Sequence, residues 1–165
     1  MSAKEVATGR SDRIRKGDRI PAIVLETGTG TAALSLRPSR GPRVFVAMHR
    51  PDCDECIRHV REIASLRESV ESWGADILVI SAEDVDPHHM ALRQLGVPVL
   101  VDPARTMADG RLTVIIADQW GEVWFAGDGK GLHDCISPDE MVEWVKFIAI
   151  QCPECEGPEG EWRNL

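Results

Sequence analysis

Four of the five cysteines in this chain fall into two Cys-x-x-Cys pairs, Cys53/Cys56 and Cys152/Cys155. A pair at this spacing can close a disulfide or point two sulfurs at a metal. Cys53 and Cys56 stand where an apolar run, Val44 to Met48, gives way to helical periodicity. A helix N-terminus supports a thiolate through its unpaired N–H groups and its dipole. The reading is a redox dithiol, with Cys53, the more exposed first cysteine, as attacking thiol and Cys56 as the resolving one. The plain alternative is a pair of helix-packing cysteines. Asp54 and Glu55 lie between the thiols and oppose thiolate formation, against the dipole and the cations Arg50 and Arg58. That predicts a comparatively reducing pair.

Cys152-Pro-Glu-Cys155 follows the last helical pattern. It reads as a second redox pair that exchanges electrons with Cys53–Cys56, as a metal knuckle, or as an exposed disulfide. A structural zinc takes four ligands, and Cys53 and Cys56 are candidates for the other two. Cys135 reads as a partly buried thiol, with a distant resolving role as the alternative. His88 and His89 point in different directions from one helix and read as surface residues. Asp102 and Asp118 end strands and read as turn formers. No dinucleotide or phosphate-binding glycine loop is present, so no cofactor is required, and zinc or an iron–sulfur cluster is the alternative.

These residues need elements to position them. Strands are expected at Ala22–Glu26, Leu34–Leu36, Val44–Met48, Asp76–Ser81 and Pro98–Asp102. Leu112–Asp118 and Glu122–Ala126 form a hairpin around Gln119-Trp120-Gly121. A helix carrying Ile57, Val60, Ile63, Leu66 and Val70 on one face runs from Cys53 to a Gly74 cap. Shorter helical stretches follow at Pro87–Leu95 and Pro103–Asp109. Ser137-Pro-Asp-Glu140 starts a final helix that ends near Gln151. The divisions are a loose N-terminal segment 1–16, one α/β domain 17–151, and an acidic cysteine-containing tail 152–165.

The chain has 165 residues, 43% of them apolar, and a formal charge of −8. That suits one domain with its own core and argues against nucleic acid as a partner. The first residues lack the apolar stretch of a secretory signal, and no run is long enough to span a membrane. The expected location is the cytoplasm, where cysteines serve catalysis or metals more often than structural staples.

The order of elements, a β-α-β unit followed by a β-β-α unit, resembles the thioredoxin-like superfamily in its peroxiredoxin-like (alkyl hydroperoxide reductase/thiol-specific antioxidant) branch. The stretches that carry the resemblance are Gly17-Asp-Arg-Ile-Pro-Ala-Ile-Val-Leu25, Val44–Cys56, Gly74–Ser81, Gly96–Pro103 and Thr113–Val123. It implies a three-layer sandwich: a central mixed sheet, helices on both faces and an N-terminal extension. It also implies a thiol-based antioxidant enzyme whose partners are a protein thiol or disulfide, or a peroxide. A homodimer is compatible with it. The family's peroxidase signature is Pro-x-x-x-Thr-x-x-Cys. With Cys56 at the reactive position, Cys53 falls on Thr and His49 on Pro. The remaining Cys-x-x-Cys resembles a dithiol oxidoreductase. Thioredoxins place a cis-proline near Arg111 or Leu112, where this chain has none. Arg111 takes the place of the arginine that supports a peroxiredoxin thiolate. The alternative function is a non-catalytic subunit of a larger redox complex, its paired cysteines binding zinc or an iron–sulfur cluster.

Overall fold

The computed structural model describes residues 13–21, 23–27, 30–34, 40–83, 88–127, 131–133 and 135–151. Their strands join in one mixed sheet of seven, in the order β2-β1-β5-β4-β3-β6-β7. They are β1 Ile23–Thr27, β2 Gly30–Leu34, β3 Arg43–Ala47, β4 Asp76–Ser81, β5 Val99–Val101, β6 Thr113–Ala117 and β7 Val123–Ala126. The helices are α1 Asp54–Ser65, α2 Arg67–Glu71, α3 His88–Arg93 and α4 Pro138–Ala149.

β3 is central, parallel to β4 and antiparallel to β6. Its continuous apolar run is explained by burial on both faces. Val44, Val46 and Met48 enter one core cluster, while Phe45 and Ala47 enter another. The first cluster receives Cys56, Val60 and Ile63 from α1, Val70 from α2, Leu92 from α3, and Met141, Val145 and Ile148 from α4. The opposite face is closed, among the described residues, by Ile14, Ile20, Met107 and Ala108 from segments without helix. The architecture is therefore α/β and thioredoxin-like, with a β1–β2 hairpin extending one sheet edge through a single pairing of Glu26 with Val101.

The structure differs from the sequence reading at several elements, three of them instructive. The helix expected from Cys53 to Gly74 is two helices, broken at Leu66 (φ −96°, ψ 9°). Ser65 Oγ donates to the Glu62 carbonyl at 2.6 Å and Leu66 N–H to Ile63 O at 3.0 Å, so the last turn tightens and the path bends. Residues 103–109 form turns rather than helix. Asp102, fully buried, accepts from the N–H groups of Met107 and Ala108 at 2.7 and 3.1 Å, and so holds a loop where a helical turn was expected. β2 lies at Gly30–Leu34 rather than Leu34–Leu36; residues 35 and 36 lie outside the described set. Gly74 does cap the helical segment, at φ 74°. No helix among the described residues is long and apolar enough to cross a membrane.

Asp118 closes the β6–β7 turn. It accepts from Trp120 and Glu122 N–H at 2.9 and 3.0 Å and from the Trp124 indole at 3.1 Å, at 6% exposure. Removing the carboxylate leaves three donors without it. Asp118→Ala is expected to cost about 2–4 kcal/mol, read as a lower urea midpoint at unchanged slope. A change below about 0.5 kcal/mol would show that the turn holds itself.

Candidate functional site

β3 ends at Ala47, and the chain then runs through Met48, His49, Arg50 and Pro51 before α1 begins. Met48 N–H still donates to Ile80 O at 2.8 Å, which ties the start of this turn to the sheet. Cys53 is the N-cap of α1 and Cys56 its third residue, so both sulfurs sit at the helix N-terminus.

The two thiols differ in environment. Cys53 is half-buried and Cys56 is fully buried. Burial pushes the Cys56 thiol up to about 11. The backbone N–H groups of Arg50 and His49 donate to its sulfur and oppose that rise, while its contact with Cys53 adds to it. Desolvation is the largest of these influences and sets the direction.

His133 joins this pair from a distant part of the chain. Ala47 pairs with Thr113, so β6 starts at the end of the sheet where β3 stops. Leu112 N–H, next to that start, donates to Leu132 O at 2.8 Å. This bond brings the adjoining His133 over the turn. Its Nε2 lies 3.2 Å from Cys53 Sγ, and its Nδ1 lies 3.2 Å from Glu55 Oε2. With Nδ1–H donating to Glu55, Nε2 is left as an acceptor facing the thiol. Thiol, imidazole and carboxylate then stand in the order of an activated nucleophile, its base, and the group that orients the base.

His49 completes the cluster. Its ring meets His133 edge-on, with centroids 5.1 Å apart. Burial, then the neighbouring His133 and Arg50, lower its pKa, with Asp52 pulling the other way, so the neutral ring is favoured. Its Nδ1 is buried with no hydrogen-bond partner among the described residues.

The sequence reading placed Cys53 and Cys56 together, and they are together. Glu55, which the sequence reading sets against the thiolate, reaches His133. The sequence pattern does not single out His133; it points to Cys135 two residues on. Cys135 is half-buried and packs against the helix-side core. A histidine following the glycine-rich stretch Gly127-Asp-Gly-Lys-Gly131 was the available signal, since such a loop can fold back on the sheet. Arg111 is half-buried directly before Leu112, which puts its backbone at this end of the sheet. Cys152 and Cys155 lie outside the described residues. Asp102 and Asp118 are turn formers, as read. The side chains of His88 and His89 lie outside the described set.

A shallow cavity of about 400 Å³ opens beside the turn, bordered by His49, Arg50, Asp52, Glu83 and Arg105. Its rim is of mixed charge: Arg105 pairs with Glu83 at 3.2 Å and Arg50 with Asp52 at 3.5 Å. Arg105 adopts φ 54°, a left-handed conformation uncommon outside glycine.

The fold has clear relatives among solved structures. Peroxidoxin BcpB from Mycobacterium tuberculosis superimposes with a TM-score of 0.66 at 18% identity, over 83% of this chain and 97% of that one. The Mycobacterium tuberculosis AhpC gives 0.65 at 18% identity, over 87% and 98%. A peroxiredoxin-like protein from Aquifex aeolicus gives 0.64 at 19%, over 82% and 88%. No curated protein matches the sequence at a significant level. The profile of the AhpC/TSA family matches residues 16–119, a span that holds β1 through β6 and both cysteines of the turn. The chain belongs to the AhpC/TSA family, a group of thiol-based antioxidant proteins.

Proposed function

We propose that this protein is a thiol–disulfide oxidoreductase in which Cys53 attacks and Cys56 resolves. The observation that carries the reading is the contact of Cys53 Sγ with His133 Nε2 at 3.2 Å, with Glu55 behind the imidazole. His133 takes the Cys53 proton as the sulfur attacks one sulfur of a substrate disulfide. The substrate S–S bond breaks, a Cys53–substrate bond forms, and the leaving thiolate receives the proton from His133. Cys56 then attacks Cys53. The Cys53–Cys56 bond forms, the second substrate thiolate leaves, and the Cys56 proton passes to it through the regenerated imidazole. Two electrons move from the dithiol to the substrate.

The asymmetry of burial assigns the roles. A thiol at about 11 and out of contact with solvent is a poor first nucleophile. It becomes effective once the partner sulfur is delivered to it covalently, where effective concentration replaces intrinsic reactivity. The charged cavity beside the turn is suited to a polar protein segment carrying the disulfide. No bound cofactor enters the scheme, Arg111 is assigned as a supporting cation for the site, and Cys152/Cys155 as the pair that re-reduces or re-oxidises it. A reducing compartment such as the cytoplasm fits a dithiol that works in its reduced form.

The family's peroxidase chemistry is the second reading, favoured by the two backbone N–H donors on Cys56. Substitution separates the two. Cys53→Ser is expected to abolish turnover of a disulfide substrate, while Cys56→Ser traps a mixed disulfide detectable by intact mass. Peroxide consumption that survives Cys53→Ser and is lost in Cys56→Ser would establish the peroxidase and overturn the assignment made here.

Alkylation of the reduced protein tests the roles directly. At pH 8 a thiol near 11 is ionised to about one part in a thousand, so iodoacetamide should label Cys53 first. Labelling of Cys56 should rise about tenfold per pH unit and level off only near pH 11, because the thiolate is the reacting form. His133→Ala should slow disulfide turnover roughly 100-fold or more, the usual contribution of a positioned base, with a smaller loss for Glu55→Gln. Equal labelling of both cysteines at pH 8, or unchanged turnover in His133→Ala, would remove the proposed triad.

A further inference from the structure

The donor atoms at this site are those of a metal centre as well as of a dithiol. One donor atom each from His49, Cys53, Cys56 and His133 lie within 4.8 Å of one another. A tetrahedral zinc with bonds of about 2.3 Å to sulfur and 2.0–2.1 Å to nitrogen holds its ligands about 3.3–3.8 Å apart. The cluster therefore needs to contract by about 1–1.5 Å at most, and Cys53 and His133, at 3.2 Å, are already close to ligand spacing.

Two further observations belong to a metal site more than to a bare dithiol. The first is the Glu55 carboxylate on His133 Nδ1 at 3.2 Å, with Nε2 turned to the cluster. Metal-bound histidines characteristically hold their second nitrogen in this way, which fixes both tautomer and ring orientation. The second is His49, which resolving chemistry does not use. It is a half-buried imidazole, edge-on to His133, with an unpartnered buried Nδ1. An imidazole placed here is idle in thiol exchange and useful as a fourth ligand.

We propose that His49, Cys53, Cys56 and His133 form a binding site for a divalent cation of the zinc type, available only while both cysteines are reduced. Two thiolates and two imidazoles are the donor set that selects zinc over harder cations. Four protein ligands leave no open position, so the metal is a guard on the thiols and not a hydrolytic centre. Binding releases the two thiol protons. A disulfide substrate removes the metal: the two bound sulfurs lose two electrons and join, the substrate S–S bond breaks, its two sulfurs take up those electrons and two protons from water, and the divalent ion leaves unchanged in charge. The sulfurs then stand about 2.05 Å apart and no longer offer thiolate ligands. This part of the inference rests on the oxidoreductase reading; the ligand set does not.

The test uses the full-length chain carrying Cys152→Ser and Cys155→Ser, so that the tail sulfurs contribute nothing. The reduced, metal-free protein is titrated with cobalt(II) and then with zinc(II). One equivalent of cobalt should give intense visible bands of a tetrahedral site and sulfur-to-cobalt charge transfer in the near ultraviolet, and zinc should bleach both. Glu55→Gln should weaken affinity roughly 10–100-fold, the usual range for outer partners. His49→Ala and His133→Ala should each weaken it by more than that, with circular dichroism confirming that the variants fold. Absence of cobalt binding, affinity untouched by the two histidine substitutions, or equal binding by the disulfide form would each overturn the proposal. Intact mass reports disulfide formation separately. A protein that binds cobalt through these four residues yet never forms the disulfide would sink the oxidoreductase reading and leave the metal site standing.

Discussion

One backbone hydrogen bond, from Leu112 N–H to Leu132 O at 2.8 Å, makes a site out of two distant pieces of chain. Without it the turn after β3 presents two cysteines and nothing to act on them. With it, His133 comes within reach of a sulfur 80 residues away in sequence. The bond has this effect because of the sheet beneath it. β3 and β6 are antiparallel, so the end of one and the start of the other lie side by side. A loop fastened beside the start of β6 must overhang the end of β3. The same pairing buries Val44, Val46 and Met48 against the helices, so the platform that carries the turn is fully packed.

Polar atoms in this platform are satisfied by aspartates in loops. Asp102 and Asp118 each end a strand, are buried, and take up the N–H groups of the turn that follows. Burying a carboxyl group is costly unless donors meet it. Here the donors come from the backbone of the next few residues, so each aspartate also fixes the path of its loop. Asp102 does this directly before the segment that carries Arg105 to the rim of the cavity beside the cysteines. The turn between the strands and the surface presented near the site are thus set by the same side chain.

What the sequence made legible was local. The apolar run at Val44, the two-residue alternation of the hairpin, and the Ser-Pro start of α4 each announce themselves within a few residues. The dithiol was legible for the same reason, since both cysteines belong to one turn of one helix. The break at Leu66 was not, because the apolar spacing of α1 continues through it into α2 and only a serine hydroxyl marks the bend. His133 was not legible because the glycine-rich stretch before it shows only that a loop is there, not what the loop overhangs. Its meaning depends on strand order, and strand order is a long-range property that periodicity does not encode. The neighbouring Cys135 drew attention instead, and it packs into the core.

The departures from the family's signature form a consistent set. If Cys56 takes the family's reactive position, Cys53 falls on the signature's threonine and His49 on its proline. Each change replaces a group that shapes a peroxide pocket with one that can donate an electron pair to a proton or a metal. His133 and Glu55 extend the same character outward, from sulfur to nitrogen to carboxylate over two contacts of 3.2 Å. In the proposed scheme, disulfide and metal compete with the proton for the same two sulfurs. Cys56 is buried and holds its proton tightly, so it yields that proton only to something that binds sulfur strongly: a partner sulfur already joined to Cys53, or a divalent cation held by three other ligands. An isolated weak nucleophile at a helix N-terminus would be a poor peroxidase. In the proposed scheme the same residue acts in the second step, and its buried place beside Cys53 suits it to that step.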